Sequence, residues 1–314
     1  MRRAVVTGAF SYTGAAVARE LIDRGWKIHT LTNRRLPEDA AGITVAPLRF
    51  EADHLAHELD GADLFVNTYW VRLPARGQDF DTAVERSGML IRAAVGAGVG
   101  RLVHVSVSNA AAGRALGYYG GKAKVEEVVR AAGLSYAIVR PTLVVGPNDV
   151  LTNNIAWFLR RFPFFLLPRG GRCRLSPVTL DDTARIIADA AERGDDAEMD
   201  AAGPDTMTFA EYARSLARAC GVRRLFLSAP DILALGLLWV AGCLLRDVVL
   251  TREELLGLEQ ELLFTHAPPL GRESVPDWLM RNGAGLGRSY INDMHRHFGA
   301  GAREAVQVSS RRGG

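Results

Sequence analysis

Short apolar runs alternate with longer amphipathic stretches through the first 145 residues. Stretches with apolar residues at helical spacing predict helices at 13–23, 83–95 and 122–132. The runs between them are rich in β-branched residues and predict six strands, at 4–7, 27–32, 43–48, 63–68, 101–107 and 135–140. Strands without polar alternation are typical of parallel sheets that are covered on both faces. The order of elements therefore predicts right-handed crossovers and a doubly wound α/β fold of Rossmann type.

The pattern changes after residue 141. Proline and glycine interrupt the segment 147–171, and two further helices are predicted at 181–191 and 208–220. We predict a nucleotide-binding domain, a smaller and mainly helical substrate or partner domain, and a flexible tail, and the second domain can weave back into the first. The corresponding ranges are 1–145, 146–300 and 301–314.

Composition and charge narrow the class of protein. Hydrophobic residues make up 48% and charged residues 23% of the 314 positions, which is ordinary globular composition. The 38 basic and 35 acidic residues nearly balance, so bulk charge does not suggest nucleic acid as a partner. Cys173, Cys220 and Cys243 are scattered, which predicts neither a disulfide framework nor a metal site. We expect reduced thiols in a cytoplasmic protein.

One apolar segment, residues 232–245, requires a separate interpretation. It is shorter than the roughly 18–20 residues that a membrane span needs. We interpret it as a buried or interface helix, with contact to a membrane surface as the less favoured alternative. The N-terminal apolar run breaks at Gly8 and predicts no signal peptide.

The strand-to-helix junction at residues 5–14, VVTGAFSYTG, carries the strongest functional signal. A dinucleotide pyrophosphate needs backbone N–H donors and the positive end of a helix dipole, without obstructing side chains. Gly8 suits the tight turn, Gly14 suits close packing of helix on sheet, and Ser11 stands where the usual pattern has a glycine. The loop residues expected at the dinucleotide are Gly8, Phe10, Ser11, Tyr12, Thr13 and Gly14.

The end of the second strand bears on the choice of cofactor. NAD-specific sites place a carboxylate there, whereas this chain has Arg34 and no carboxylate before Glu38. A guanidinium can pair with a 2′-phosphate, so the sequence favours NADP(H) over NAD(H); solvent-exposed arginines are the alternative. Asp53 is a candidate for the adenine, or equally a surface aspartate. The other residues predicted to contact the cofactor lie at or just after the carboxyl ends of the second, fourth and fifth strands: Asn33, Asn67, Thr68 and Ser106.

Tyr118 and Lys122 form the motif Tyr-x-x-x-Lys, one helical turn apart. A lysine in this position can lower the pKa of the tyrosine and contact the nicotinamide ribose, so that the phenol exchanges a proton with the substrate. Ser106 or Ser108, at the carboxyl end of the fifth strand, can polarise the same substrate oxygen.

These motifs resemble the extended and atypical branch of the short-chain dehydrogenase/reductase superfamily, the NAD-dependent epimerase/dehydratase-like proteins. TGAFSYTG is similar to the branch's TGxxGxxG loop, and residues 118–147 are similar to its catalytic helix, next strand and RPxxxxGP segment. The resemblance covers residues 3–220 and implies Ser108, in VHVSVSN, as the catalytic hydroxyl. NTYWVR at 67–72 and TREELLGLEQELL at 251–263 resemble a group related to the nucleotide-binding accessory subunit of respiratory complex I.

Two features depart from the pattern of that branch. Only ten residues lead from Ser108 to Tyr118, fewer than is usual. Gly120 and Gly121 stand at the start of the helix that must orient Tyr118, and glycine disfavours helix. We expect the geometry of the catalytic residues to follow the family less closely than the phosphate loop does.

Two functions are compatible with the sequence. The first is an NAD(P)-dependent oxidoreductase or epimerase in which Tyr118 is the acid/base, Lys122 orients it and Ser108 polarises a small-molecule substrate. The aromatic segment 157–165 could line an apolar substrate pocket or form the core of the second domain. The second function is a non-catalytic NAD(P)H-binding redox sensor or accessory subunit. The sequence does not indicate an oligomeric state.

Overall fold

The computed structural model describes residues 2–34, 42–74, 77–230 and 250–292, with the isolated positions 236, 242, 245 and 247. The predicted tail 301–314 lies outside the described residues, and so does the apolar segment 232–245 apart from three of these positions. Among the helices that are described, none is long and apolar enough to cross a membrane.

The described chain alternates strands and helices in the order that the sequence predicts, with additional short strands after residue 141. The strands are β1 (Arg3–Thr7), β2 (Lys27–Leu31), β3 (Ile43–Ala46), β4 (Leu64–Asn67), β5 (Arg101–Val105), β6 (Tyr136–Pro141), β7 (Val144–Val145), β8 (Phe164–Pro168), β9 (Arg174–Leu175), β10 (Val178–Thr179), β11 (Ala197–Ala201), β12 (Met207–Thr208) and β13 (Leu225–Ala229). The helices are α1 (Tyr12–Asp23), α2 (Ala52–Leu59), α3 (Phe80–Gly96), α4 (Gly117–Arg130), α5 (Val150–Arg161), α6 (Leu180–Ala191), α7 (Phe209–Ala219), α8 (Arg252–Glu259) and α9 (Val275–Asn282).

A seven-stranded sheet has the order β3-β2-β1-β4-β5-β6-β11. Every neighbouring pair in it is parallel. This confirms the predicted Rossmann-type, doubly wound sheet. The strand order reverses between β1 and β4, and ligands of open α/β sheets bind in the crevice outside the carboxyl ends of the strands at such a reversal.

Alternate residues of the central strands enter two apolar clusters, one on each face of the sheet. In β1, Val6 faces the cluster that contains Val17 of α1 and Ile187 of α6. Its neighbour Val5 faces the opposite cluster, which contains Leu90 of α3. These side chains are 0% exposed, so both faces of the sheet are fully covered by helices.

The boundary at residue 145 does not divide the structure into two contiguous domains. Helix α6 covers the sheet beside α1, and β11 pairs with β6 along its whole length. Residues 180–201 therefore belong to the nucleotide-binding unit. The sequence allowed for such a return of the chain from the second domain to the first. The second unit, predicted as mainly helical, contains α5, α7 and α9 around Tyr212, together with three two-stranded sheets.

Helix α4 begins at Gly117, five residues before the predicted start at residue 122. The two glycines that disfavour helix are required by close packing. A Cβ on Gly120 would lie 2.4 Å from the carbonyl oxygen of Arg114, and one on Gly121 would lie 2.9 Å from the Trp70 ring. Tertiary contacts here outweigh the local preference, and they place Tyr118 and Lys122 on one helix.

Candidate functional site

The phosphate loop is shaped by two glycines and a serine. Gly8 has φ +68°, a conformation that L side chains rarely adopt. A Cβ on Gly14 would lie 2.2 Å from the carbonyl oxygen of Gly8, so no larger residue fits this contact. The Ser11 hydroxyl caps α1 by accepting a hydrogen bond from the Gly14 N–H at 3.3 Å. The loop therefore presents a narrow backbone turn at the positive end of α1, which fits a pyrophosphate.

Two adjoining cavities lie at the carboxyl ends of the strands. The smaller has a volume of about 290 Å³ and lies over Gly8 and the end of β2, and the larger has about 890 Å³ and lies between the sheet and the second unit. They share part of their walls, so an elongated ligand can occupy both. The predicted site residues that line at least one cavity are Gly8, Ser11, Tyr12, Thr13, Asn33, Arg34, Thr68, Ser106, Tyr118 and Lys122.

Four predicted residues do not reach these cavities, and Gly14 acts only by packing beneath the loop. Phe10 lines neither cavity, and Asp53 lies exposed in the first turn of α2. Asn67 is fully buried, and its side-chain oxygen accepts a hydrogen bond from the Tyr69 N–H at 3.1 Å. Its role is to hold the turn after β4 in place. The fourth residue is Ser108, which is described below.

The smaller cavity has polar groups suited to the adenosine end of a dinucleotide. The Asn33 amide is held by Leu48, since its Nδ2 donates to the Leu48 carbonyl at 2.9 Å and its Oδ1 accepts from the Leu48 N–H at 3.0 Å. Arg34 follows directly and lines both cavities. Thr68 also lines both, and its backbone N–H donates to the Thr7 hydroxyl at 2.8 Å. The strand ends on either side of the reversal are thereby held together.

Tyr118 lies in the wall of the larger cavity among other aromatic rings. Its ring packs edge-to-face on Trp70 and on Phe80, both at centroid distances of 6.0 Å. Burial raises the pKa of Tyr118 to about 12, while Arg72 lowers it and Glu254 raises it. The prediction that Lys122 lowers this pKa is not met by the structure. Tyr118 is a protonated phenol at neutral pH and can donate a proton.

Lys122 is held in place by a backbone contact. Its Nζ donates to the carbonyl oxygen of Val105 at 2.7 Å and lies 4.6 Å from the centroid of the Trp70 ring. Burial lowers the pKa of Lys122 to about 7, although Glu126 acts in the opposite direction. The ammonium is thereby fixed at the carboxyl end of β5, on the wall of the larger cavity.

Of the two serines at the carboxyl end of β5, Ser106 lies at the cavity and Ser108 does not. Ser106 lines the larger cavity, and its hydroxyl donates to Oε1 of Glu126 at 2.6 Å. Ser108 is 0% exposed and donates to the carbonyl oxygen of Leu262 at 2.6 Å, beside Asn109, which donates to the same oxygen at 3.0 Å. The hydroxyl of Ser108 therefore fixes the segment after α8 to the end of β5. It does not face the cavity, contrary to what the family resemblance implies.

Two ion pairs behind and beside these residues were not anticipated from the sequence. Glu126, 2% exposed, accepts from Arg140 at 2.8 and 2.7 Å and holds Ser106 from behind. Arg72 donates to Glu254 at 2.8 Å and joins the loop after β4 to α8 across the wall of the larger cavity. Glu126 lies one turn after Lys122 on α4, and this spacing is a signal from which its place beside the site could have been predicted. No local pattern relates Arg72 to Glu254, 182 positions away.

The histidine in β5 is a core residue. His104 is 0% exposed, and burial holds its pKa well below the ordinary value, with Lys122 and Arg140 acting in the same direction. It is neutral at physiological pH and lines neither cavity. Within the described residues, no three of the His, Cys, Asp and Glu side chains are grouped closely enough to hold a metal ion.

The class of protein follows from this loop, sheet and cavity. Residues 8–154 match the model of a family described as NAD(P)H-binding. The matched segment contains the phosphate loop, Arg34, Tyr118 and Lys122. The fold is that of a Rossmann protein, and the matched segment, just under half of the chain, is similar to NAD(P)H-binding proteins.

One curated relative and two solved structures illustrate the resemblance. The relative is "NADH dehydrogenase [ubiquinone] 1 alpha subcomplex subunit 9, mitochondrial" of Arabidopsis thaliana, 26% identical over 227 residues, or 67% of this chain. The match spans only 56% of that protein's length.

The structures are similar in fold over most of the chain. The triphenylmethane reductase of Citrobacter sp., complexed with NADP(H), has a TM-score of 0.71 and 15% identity, covering 90% of this chain and 99% of its own. The NADPH-dependent quinone oxidoreductase QOR2 of Escherichia coli, complexed with NADPH, has a TM-score of 0.70 and 18% identity, covering 90% and 98%.

Proposed function

We propose that this protein is an NADP(H)-dependent oxidoreductase that acts on an apolar substrate. The observation that carries the proposal is the larger cavity, in which Tyr118 and Lys122 share one space with an apolar wall from the second unit. That wall is formed by Leu258, Leu263, Phe158, Phe162, Phe164 and Phe165. An aromatic and aliphatic wall favours an apolar substrate over the sugar nucleotide that an epimerase would need.

The described residues fit a nicotinamide dinucleotide spread over both cavities. Gly8 and Ser11 would hold the pyrophosphate at the amino end of α1, and Arg34 would pair with a 2′-phosphate, so we propose NADP(H) over NAD(H). Both solved structures described above are complexed with the phosphorylated cofactor. When bound, the nicotinamide supplies or accepts a hydride.

Side chains of the protein donate the proton and keep water out of the site. Tyr118, with its pKa raised to about 12, stays protonated and is placed to donate its proton to a substrate oxygen. Lys122 would contact the ribose, and the aromatic wall would exclude water from the reacting atoms. Ser106, held by Glu126, takes the position at the cavity that the family resemblance assigns to Ser108.

The test combines cofactor binding with turnover of apolar carbonyl compounds and quinones. Tyr118→Phe should lower kcat by about a hundredfold or more, the scale of a lost general acid, and should leave the NADPH dissociation constant within about threefold. Tyr136→Phe, on β6 and outside both cavities, is the matched control and should behave as wild type. Unchanged turnover of every accepted substrate in Tyr118→Phe would refute the mechanism.

A second candidate, a non-catalytic NADPH-binding accessory subunit or redox sensor, is favoured by one observation. The Ser108 hydroxyl and Lys122 Nζ both donate hydrogen bonds to backbone carbonyl oxygens of the protein itself. The relative in Arabidopsis thaliana is named as a subunit of NADH dehydrogenase. If NADPH binds and no member of a broad substrate panel is turned over, this second function replaces the first.

We propose a reducing compartment, such as the cytoplasm, for either function. Cys173 and Cys220 are free thiols. Burial raises the pKa of Cys173 to about 11, and burial also raises the pKa of Cys220. Both are therefore protonated and unreactive at neutral pH.

A further inference from the structure

The parallel strand pair β8–β13 carries apolar side chains on both of its faces. Its register pairs Phe164 with Leu225 and Leu166 with Leu227. Successive strand residues point to opposite faces, so these four side chains share one face, which we call the outer face. The residues of the other face, including Phe165 and Leu167, pack into the core of the second unit. A strand pair with a single core needs only one apolar face.

The outer face is accessible to solvent. Leu225 is 68% exposed, Leu227 is 47% exposed and Phe164 is 43% exposed. Phe162, just before β8, is 44% exposed and extends the same apolar region. Three large apolar side chains on neighbouring strand positions, together with Phe162 just before β8, are 43–68% exposed, and apolar patches of this kind mark interaction sites.

Part of this apolar region also lines the larger cavity. Phe162, Phe164 and Leu166 line the cavity described above, so its apolar wall continues without interruption onto the outer face. Leu225 and Leu227 lie beyond the cavity and extend the apolar surface outward. A partner that covers the outer face therefore also contacts side chains that line the cavity.

Arginines precede both strands of this apolar face. Arg160 and Arg161 close α5, and Arg223 and Arg224 precede β13. The guanidinium of Arg160 donates to the carbonyl oxygens of Leu286, Cys220, Gly283 and Ala284. Arg224 donates to the carbonyl oxygens of Leu159, Arg160 and Arg223. Because these acceptors are neutral, none of these hydrogen bonds compensates the positive charges.

At the other end of the strand pair, Arg172 directly follows the turn Arg169–Gly171 that ends β8, and its side chain is exposed. Arg223 is also exposed. Positive charge thus stands at both ends of a patch whose centre is apolar. This combination matches the interface of an anionic bilayer, where acyl chains accept the apolar centre and phosphates accept the guanidiniums.

We propose that the outer face of β8–β13, with its flanking arginines, docks on an anionic lipid surface. Phospholipid phosphates would pair with Arg172, Arg223 and their neighbours, while Leu225 and Leu227 enter the acyl boundary. One consequence rests on the proposed function. An apolar substrate dissolved in lipid would reach the larger cavity along Phe164 and Leu166 without crossing water.

Vesicle co-sedimentation of the full chain tests the docking without any turnover. Wild type should sediment with vesicles containing phosphatidylglycerol, and binding should fall about tenfold or more in the double variant Leu225→Thr/Leu227→Thr, in which the new β-branched residues favour the strand. Val45→Thr removes a comparably exposed side chain from β3, at the far edge of the main sheet, and should bind like wild type. Unchanged NADPH affinity and melting temperature would show that the double variant is folded.

A second pair of measurements separates lipid from other occupants. Arg172→Gln/Arg223→Gln should weaken binding to phosphatidylglycerol vesicles several-fold and leave binding to pure phosphatidylcholine unchanged. Failure of wild type to sediment with either vesicle overturns the proposal. So does sedimentation velocity that shows a dimer which Leu225→Thr/Leu227→Thr converts to a monomer, because the outer face is then an interface between two copies. Loss of turnover in Tyr118→Phe tests the proposed function separately.

Discussion

The phosphate loop and the wall of the larger cavity differ in what holds their geometry. The loop is built from consecutive residues, and the packing of Gly14 on Gly8 and the cap from Ser11 need nothing distant. The wall brings Tyr118 and Lys122 together with Arg72 and Glu254, which belong to separate segments. A local motif is sufficient to define the first region, whereas tertiary contacts decide which groups face the substrate in the second.

The largest loss of cofactor affinity is expected at Gly14, where the phosphate loop has no space for a side chain. Gly14→Ala places a Cβ 2.2 Å from the Gly8 carbonyl, so the backbone must shift and the pyrophosphate turn opens. NADPH affinity should fall by about a hundredfold, about 2.7 kcal/mol, measured by fluorescence titration. Gly96→Ala, at the end of α3 with nothing within 4 Å, is the control and should bind NADPH normally. Normal binding by Gly14→Ala would show that the loop does not hold the cofactor.

The second prediction concerns the support of the cavity wall. Glu126→Gln removes a buried charge that two arginines contact, and the free energy of unfolding should fall by about 3 kcal/mol in urea denaturation. Glu127→Gln, the next residue, breaks only the exposed pair with Arg114 and should cost under about 0.5 kcal/mol. Equal losses in the two variants would mean that Glu126 does not support the wall.

The same cluster predicts a pH dependence. Burial alone would raise the pKa of Glu126, but hydrogen bonds from Arg140 and Ser106 hold it below the ordinary value. Arg130 and Arg140 lower the pKa of Glu198 to about 2. Groups with a lowered folded pKa stabilise the protein fully above their ordinary pKa, and the stabilisation is lost as pH falls through the folded value. The stability difference between wild type and Glu126→Gln should therefore be complete above pH 4.5, the ordinary pKa of a glutamate, and should shrink as the pH falls below it.

The next prediction concerns the adenosine end of the cofactor site. Arg34→Ala should weaken NADPH more than NADH by about 1–3 kcal/mol, the scale of a hydrogen bond to a charged group. Arg19→Ala, which removes an exposed arginine from α1, should change neither affinity. Isothermal titration with both cofactors measures the difference. Equal losses of NADPH and NADH would exclude Arg34 as the reader of the 2′-phosphate.

The smallest effect is expected at Ser108. Ser108→Ala removes one buried hydrogen bond to Leu262 and should cost about 1 kcal/mol of stability with kcat unchanged within about twofold. Ser106→Ala, at the cavity, should instead lower kcat. A large loss of kcat in Ser108→Ala, with stability unchanged, would restore the role that the family resemblance implies.

Much of the nucleotide-binding unit could be predicted because its signals are periodic and local. The six predicted strands join one parallel sheet. Helix α2 was missed because its eight residues bury only Leu55 and Leu59, too few for a helical pattern. The position of Ser108 could not be predicted, because it depends on a contact with Leu262, 154 positions away. Residue types at the right spacing do not specify which side chain turns toward a cavity.

The return of the chain through α6 and β11 also has a consequence for synthesis on the ribosome. When residues 1–145 have been translated, the β6 edge still lacks its partner strand, and the α1 face of the sheet lacks Ile187 and its neighbours. Completing β11 requires about 55 further residues, or about 3–11 s at roughly 5–20 residues per second. During that interval an apolar sheet edge is open to mispairing. If translation is slow, a chaperone that covers this edge is therefore most useful at this stage.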